Sequence, residues 1–235
     1  MTRFSTSINS LRTSEIRDLM SLANKPGMIL FSGGMPDNNL FPLHQIDEIY
    51  NNLTEKEKQI AMQYGPTSGI PELLNSLKAF LRKKGLPVDE NKLMITTGSL
   101  QAINILAKAF IDPGDTIIVE NPCFIGAISA FKSYQADIVS VPLSSDGIDL
   151  EKLKAALANA EQKPKFVYLT PNFHNPAGTL YTLEKKKALI EILSGHDIPL
   201  IEDDAYSDLW YYEADKEHLT TIKEKIGRAS CRERV

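Results

Sequence analysis

From Lys92 to Asp203 short apolar runs alternate with helix-like segments, and that alternation restricts the chain to very few folds. The runs KLMITTG (92–98), DTIIVE (115–120), ADIVSVP (136–142), KFVYLTP (165–171) and IPLIED (198–203) read as strands. Between them, SLQAINILAKAFI (99–111), FIGAISAFKSY (124–134), DLEKLKAALANAEQ (149–162) and TLEKKKALIEILSGH (182–196) read as helices. In the first of these, Leu100, Ile103, Ala107 and Phe110 fall on one face. Such an order calls for an α/β fold, a mainly parallel sheet with helices on both faces. Strands that are apolar almost throughout fit a sheet covered on both sides.

Upstream, the first forty residues read as an arm. LRTSEIRDLMSLAN is a short amphipathic helix ended by KPG. MILFSGGMPDNNLFP then gives an apolar run, a glycine pair and a loop held by Pro36 and Pro42. A helix is predicted from His44 to about Glu55. Another follows the turn-rich YGPTSGIPELL and runs to about Lys84, where Gly85 is a natural stop. The expected division is an arm over 1–45, one large domain over 46–225 and a tail over 226–235.

Composition narrows the function classes. The net charge of −4 is spread along the chain and gives no electrostatic reason for a nucleic-acid or membrane-surface partner. No stretch approaches a membrane span, and the N-terminus has no apolar signal-peptide core. Cys123 and Cys231 are too few for a disulfide framework, which suits a reducing, cytoplasmic setting. His44, His174, His196 and His218 are scattered without metal-ligand spacing, so no metal is expected.

Ligands of open α/β sheets bind beyond the carboxyl ends of the strands, so the residues that follow each strand carry the chemistry. After 92–98 comes TTGSLQA, where Gly98, Ser99 and Leu100 at a helix N-terminus can cradle a phosphate. After 115–120, ENPCFIGA lets Phe124 project over a pocket. PNFHNPAGT holds Asn175 on a proline-directed turn, its amide able to bond a ligand oxygen. EDDAY ends the last strand with three acids, which are costly to bury without a cationic partner. A protonated heterocycle nitrogen is such a partner. Neither the dinucleotide motif GxGxxG nor the triphosphate motif GxxxxGK[ST] is present. The set fits one flat phosphorylated heterocycle, pyridoxal phosphate.

The blocks SGGMPD, QYGPTSGIPELL, TTGSLQA, ENPCFIGAI, PNFHNPAGT and IEDDAYSDL, in this order, resemble the class I/II aminotransferases of PLP fold type I. The resemblance runs from the arm to about Tyr212 and is closest to the branch of 2-aminoadipate aminotransferases and MocR-type aminotransferase domains. It implies that Ser99, with the backbone of Gly98 and Leu100, holds the cofactor phosphate. It implies that Phe124 stacks on the ring, where the family often has tyrosine. Asn175 and Tyr206 would bond the phenolic oxygen, and Asp203 would pair with the ring nitrogen. Glu202 and Asp204 would be structural. A homodimer is implied, with Tyr64 reaching the neighbouring subunit's phosphate. Gly34 would line the substrate carboxylate side, and Ser14 and Arg17 would lie near the substrate side chain. The activity implied is transfer of an amino group between an α-amino acid and a 2-oxo acid, in amino acid biosynthesis.

The family's Schiff-base lysine follows a serine-rich segment downstream of DDAY. Here only Lys216, Lys223 and Lys225 follow Asp203, all in EADKEHLTTIKEK, and no catalytic residue can be assigned. The substrate-binding arginine and the small C-terminal domain are expected to be missing as well. IGRASCRERV at 226–235 matches the translation of one reading frame of a widely used sequencing adapter. The tail is therefore expected to be non-native, and the enzyme to be an inactive fragment. Without its three arginines and one glutamate the net charge moves from −4 to −6. The alternatives are a MocR-type regulator, disfavoured by the lack of a basic helix-turn-helix before the arm, and another fold type I enzyme such as a C–S lyase or decarboxylase.

Overall fold

The structure is a computed structural model that describes residues 4–9, 34, 36–84, 86, 88, 93–160, 162–219 and 230–233. It divides into two compact units: one of residues 1–11, 81–90 and 96–235, the other of residues 12–80 and 91–95.

The larger unit holds a six-stranded sheet in the order β3-β2-β1-β4-β5-β6. These strands are β1 (Thr116–Asn121), β2 (Asp137–Ser144), β3 (Gly147–Ile148), β4 (Val167–Leu169), β5 (Leu200–Asp203) and β6 (Ser230–Glu233). The β2–β1–β4–β5–β6 pairings are parallel, and only β3 runs antiparallel, folded back on β2. The β2–β3 hairpin was not anticipated, although Asp146-Gly147 is a tight-turn signal.

The helices of this unit are α1 (Thr6–Asn9), α5 (Ser99–Phe110), α6 (Ile125–Ser133), α7 (Leu150–Asn159) and α8 (Leu183–His196); α2 to α4 are introduced below. Their starts have local causes. The side chain of Asp149 accepts from the Lys152 N–H at the head of α7, and that of Thr182 from the Lys185 N–H at the head of α8. Helix α8 stops where Asp197 turns left-handed at φ 49°.

Alternation along β1 sends its residues to two cores. Ile118 joins Leu153, Leu157, Leu189 and Leu193 of α7 and α8 on one face. Ile117 and Val119 join Ile103, Ala107, Ala127 and Phe131 of α5 and α6 on the other. Helices thus cover both faces, as the apolar strands demand. Each fully buried leucine or phenylalanine adds about 1.5–3 kcal/mol of hydrophobic stabilisation.

Three expectations need correction. Residues 93–98 form no strand, because their polar groups are used elsewhere: the Ile95 N–H donates to the Ser68 carbonyl (2.9 Å) and the Thr97 N–H to Gln101 Oε1 (2.5 Å). On the predicted face of α5, Ile103 and Ala107 are buried, but Leu100 is 50% exposed. Residues 230–233, left out of the fold by the sequence reading, pair with the edge of β5. An open strand edge accepts any extended backbone, whatever its side chains.

The second unit holds a 3-10 turn (Asn38–Leu40) and the helices α2 (Leu43–Asn52) and α3 (Glu55–Met62); α4 (Pro71–Lys83) begins in it. The sequence reading anticipated α2 and α4 and passed over α3. Its signal was legible: Thr54 and Glu57 make a reciprocal capping box, with the Thr54 N–H 2.8 Å from Glu57 Oε2.

Candidate active site

The buried polar residues of the larger unit gather at one place. Glu120, Thr170, Asn172, His174, Glu202, Asp203, Asp204 and Ser207 are all buried. All stand at, or just beyond, the carboxyl ends of β1, β4 and β5. That end of a parallel sheet is where its ligands bind.

A cleft opens there, lined by Ser99, Phe124, Thr170, Asn175, Asp203, Ala205 and Tyr206. Gly98, the residue before α5, has φ 73° and no heavy atom within 4 Å of where a Cβ would stand. No side chain caps the helix here. A 12-residue helix therefore presents its positive end to open space, with Ser99 as its first residue. Phe124 stands at the head of α6. Its ring occupies the space that a side chain at Gly126 would fill, since a Cβ there would lie 2.5 Å from the ring. Asn175 Nδ2 donates to the Tyr206 hydroxyl at 3.3 Å, which joins the turn after β4 to the turn after β5.

Asp203 is 8% exposed and ends β5. The Tyr168 hydroxyl donates to its Oδ2 at 2.5 Å. Among the described residues no Lys, Arg or His nitrogen lies within ion-pair distance of it. Burial pushes its carboxyl pKa up; the Tyr168 hydrogen bond opposes this, while the charges of Asp204 and Glu120 add to it. Among the described residues this carboxylate lacks a cation, and it lines the open cleft.

The surroundings are held by two buried networks. Glu120 accepts from the Thr170 N–H (2.7 Å) and the Tyr181 hydroxyl (2.6 Å), tying β1 to the 170–181 segment. His174 Nε2 lies 3.2 Å from Glu120 Oε2, without hydrogen-bond alignment. In the second network Lys186 Nζ donates to Asn172 Oδ1 and to the His218 carbonyl, each at 2.6 Å. Asn172 Nδ2 in turn donates to Asp204 Oδ1 (2.8 Å), and Ser207 donates to Asp204 Oδ2 (3.1 Å). The EDDAY turn is thereby fastened to α8. Burial and the charge of Glu120 push the Cys123 thiol up to about 12, which keeps it protonated.

Of the predicted residues, Ser99, Phe124, Asn175, Asp203 and Tyr206 meet in this one cleft. Gly98 and Leu100 flank Ser99. Tyr64, fully exposed, and Gly34 belong to the second unit. Ser14 and Arg17 lie outside the described residues. Sequence reasoning passed over Glu120, Tyr168 and Tyr181. Glu120 left one trace, an acid closing an otherwise apolar strand; the tyrosines left none.

The donors suit a flat ligand: a helix terminus for an anionic group, an aromatic face, an amide–phenol pair for a ring oxygen and a buried carboxylate for a cationic nitrogen. The sequence profile of "Aminotransferase class I and II" matches residues 13–232. The chain is 36% identical over 212 residues to aromatic-amino-acid aminotransferase 1 of Thermococcus litoralis, covering 88% of this chain and 51% of that protein. It is 34% identical to the 2-aminoadipate transaminase of Thermus thermophilus, covering 92% and 53% respectively. The kynurenine aminotransferase of Pyrococcus horikoshii, solved with PMP, superposes with a TM-score of 0.85 at 34% identity, over 92% of this chain and 55% of that one. The chain thus spans about half the length of these relatives. With the family profile matched over nearly its whole length and the fold shared, the chain belongs to the class I and II aminotransferases.

Proposed function

We propose that the cleft binds pyridoxal 5′-phosphate and that the chain is the cofactor-binding portion of an aminotransferase acting on an α-amino acid and a 2-oxo acid. The observation that carries this reading is Asp203, a buried carboxylate with no cationic partner among the described residues, facing a cleft lined by Phe124, Asn175 and Tyr206. In this reading the N–H groups at the start of α5 and the Ser99 hydroxyl bind the phosphate. Phe124 covers one ring face, worth about 1 kcal/mol beyond its buried area. Asn175 and Tyr206 hold the phenolic oxygen, and Asp203 keeps a proton on the ring nitrogen. Bound pyridoxal phosphate supplies an electron sink for the charge left when a substrate loses its α-proton.

The reading extends to the substrate and assembly residues. Gly34, Ser14 and Arg17 belong to the substrate side, and Tyr64 to a second copy in a cytoplasmic homodimer. The full exposure of Tyr64 suits a residue that reaches another molecule. Among the described residues, neither Lys216 nor Lys186 is free to anchor the cofactor. Lys216 stays at the surface, 2.9 Å from Glu213 and over the Trp210 ring, and Lys186 is fully engaged inside the protein.

Equilibrium titration with 4-deoxypyridoxine 5′-phosphate, which has no aldehyde to react with surface lysines, tests the site. Saturable binding that Asp203→Asn abolishes and Phe124→Ala weakens about tenfold is expected. Binding indifferent to Asp203 would sink the proposal. For the longer protein, turnover that requires a 2-oxo acid acceptor separates an aminotransferase from a lyase or decarboxylase on the same fold.

A further inference from the structure

We propose that Tyr168 is a positioning residue for Asp203: its hydroxyl occupies Oδ2, orients the carboxylate and leaves Oδ1 to meet the ring nitrogen of the ligand. The inference rests on the cofactor reading above and goes beyond it, because Tyr168 touches neither ligand nor cleft.

The geometry is specific. Tyr168 lies on β4, whose Tyr168 and Leu169 pair in register with Ile201 and Glu202 of β5, so Asp203 is the next residue along the neighbouring strand. The tyrosine is fully buried and donates to Asp203 Oδ2 at 2.5 Å. Its ring is held edge-on against Phe131, with centroids 5.4 Å apart and planes at 74°, and Phe131 packs in turn on Phe166. A phenol so clamped cannot swing away when a ligand arrives. Its proton is secure too: burial and the facing charge of Asp203 raise the Tyr168 pKa well above its ordinary value.

The groups facing this pair restrict what else could hold the carboxylate. From β1 and its following turn come Glu120 and Cys123, and from the turn after β5 comes Asp204. None of them is a cation. His174 turns Nδ1 to the Ala177 N–H and Nε2 toward Glu120, and Lys186 is engaged with Asn172 and the His218 carbonyl. Tyr168 is therefore the side-chain donor to Asp203 among the described residues. A carboxylate given one fixed donor keeps one oxygen for a second, and it ionises more readily than the same group without the donor. Without Tyr168 the carboxylate is less well oriented and more basic, and the ring proton is shared more with the acid.

The test uses the chain with 4-deoxypyridoxine 5′-phosphate carrying 15N in its ring. Binding affinity and the 15N chemical shift are followed against pH. In the parent chain the bound nitrogen is expected to stay protonated to higher pH than in the free probe. Tyr168→Phe is expected to lower affinity about tenfold, the effect of losing one charge-assisted hydrogen bond, and to move the 15N midpoint down by about one pH unit. Replacing Tyr168 by 3,5-difluorotyrosine, a more acidic phenol of nearly the same shape, is expected to move the midpoint up. That second variant decides the matter if Tyr168→Phe does not fold. Midpoints unmoved in either folded variant, with binding still lost in Asp203→Asn, would overturn the positioning role and leave the cofactor reading standing. No saturable binding to the parent chain, or binding unchanged in Asp203→Asn, would overturn both.

Discussion

Asp203 is a costly residue to the ligand-free chain. Its carboxyl pKa is raised in the fold above the ordinary 3.8, chiefly by burial. The sign follows from proton linkage. Its favourable contribution is complete below the unfolded value and is lost as pH rises through the higher folded value. Asp203→Asn escapes that loss. Urea unfolding without ligand, between about pH 4 and pH 8, should find the variant gaining on the parent as pH rises; a parent more stable than the variant at the upper end contradicts this. The variant expected to abolish binding is thus also expected to stabilise the empty protein, as the proposed binding role of Asp203 implies. At Phe124 the constraint is spatial. Gly126→Ala sets a methyl 2.5 Å from the ring edge, so the ring must leave its place. Affinity for the deoxypyridoxine probe should fall about tenfold, while Gly126→Ser should do no better.

Among the elements, α8 stabilises the site from behind through Lys186. Breaking a buried charged network by removing one member costs about 3–5 kcal/mol, and Lys186→Met leaves Asn172 and the His218 carbonyl without their ammonium. A urea midpoint shift below about 1 kcal/mol would show that this network contributes little. This connection was not legible in the sequence, where Lys186 is one of three consecutive lysines on a helix. The same applies to Glu120 and Tyr181, whose hydrogen bond joins residues 61 apart. Periodicity reports which face an element buries, not which distant polar group it meets there. What was legible were the motifs at strand ends: Ser99, Phe124, Asn175, Asp203 and Tyr206 share a cleft because parallel strands must end on the same side. The expected strand at 92–98 failed for a related reason, since apolar letters do not reveal that Ile95 spends its N–H on Ser68. Helix α3 was simply overlooked, although its capping box stands in the letters TEKE.

Over the whole molecule, burial is uneven. No described residue from 34 to 86 is buried, whereas β1 and β4 are enclosed on both faces. Local stability follows buried contacts, so hydrogen exchange should strip protection from α2 and α3 orders of magnitude sooner than from β1 and β4. Comparable protection in both units would contradict this. The bonds that build the cleft span long stretches of chain, 50 residues from Glu120 to Thr170 and 35 from Tyr168 to Asp203. That has a consequence for timing during synthesis. A ribosome that has released only the first three strands and their helices has made a hydrophobic scaffold blind to ligand. The cleft comes into being when Asp203 and Tyr206 emerge, in one step and near the end of the segment, so cofactor cannot guide the assembly of the strands that precede them.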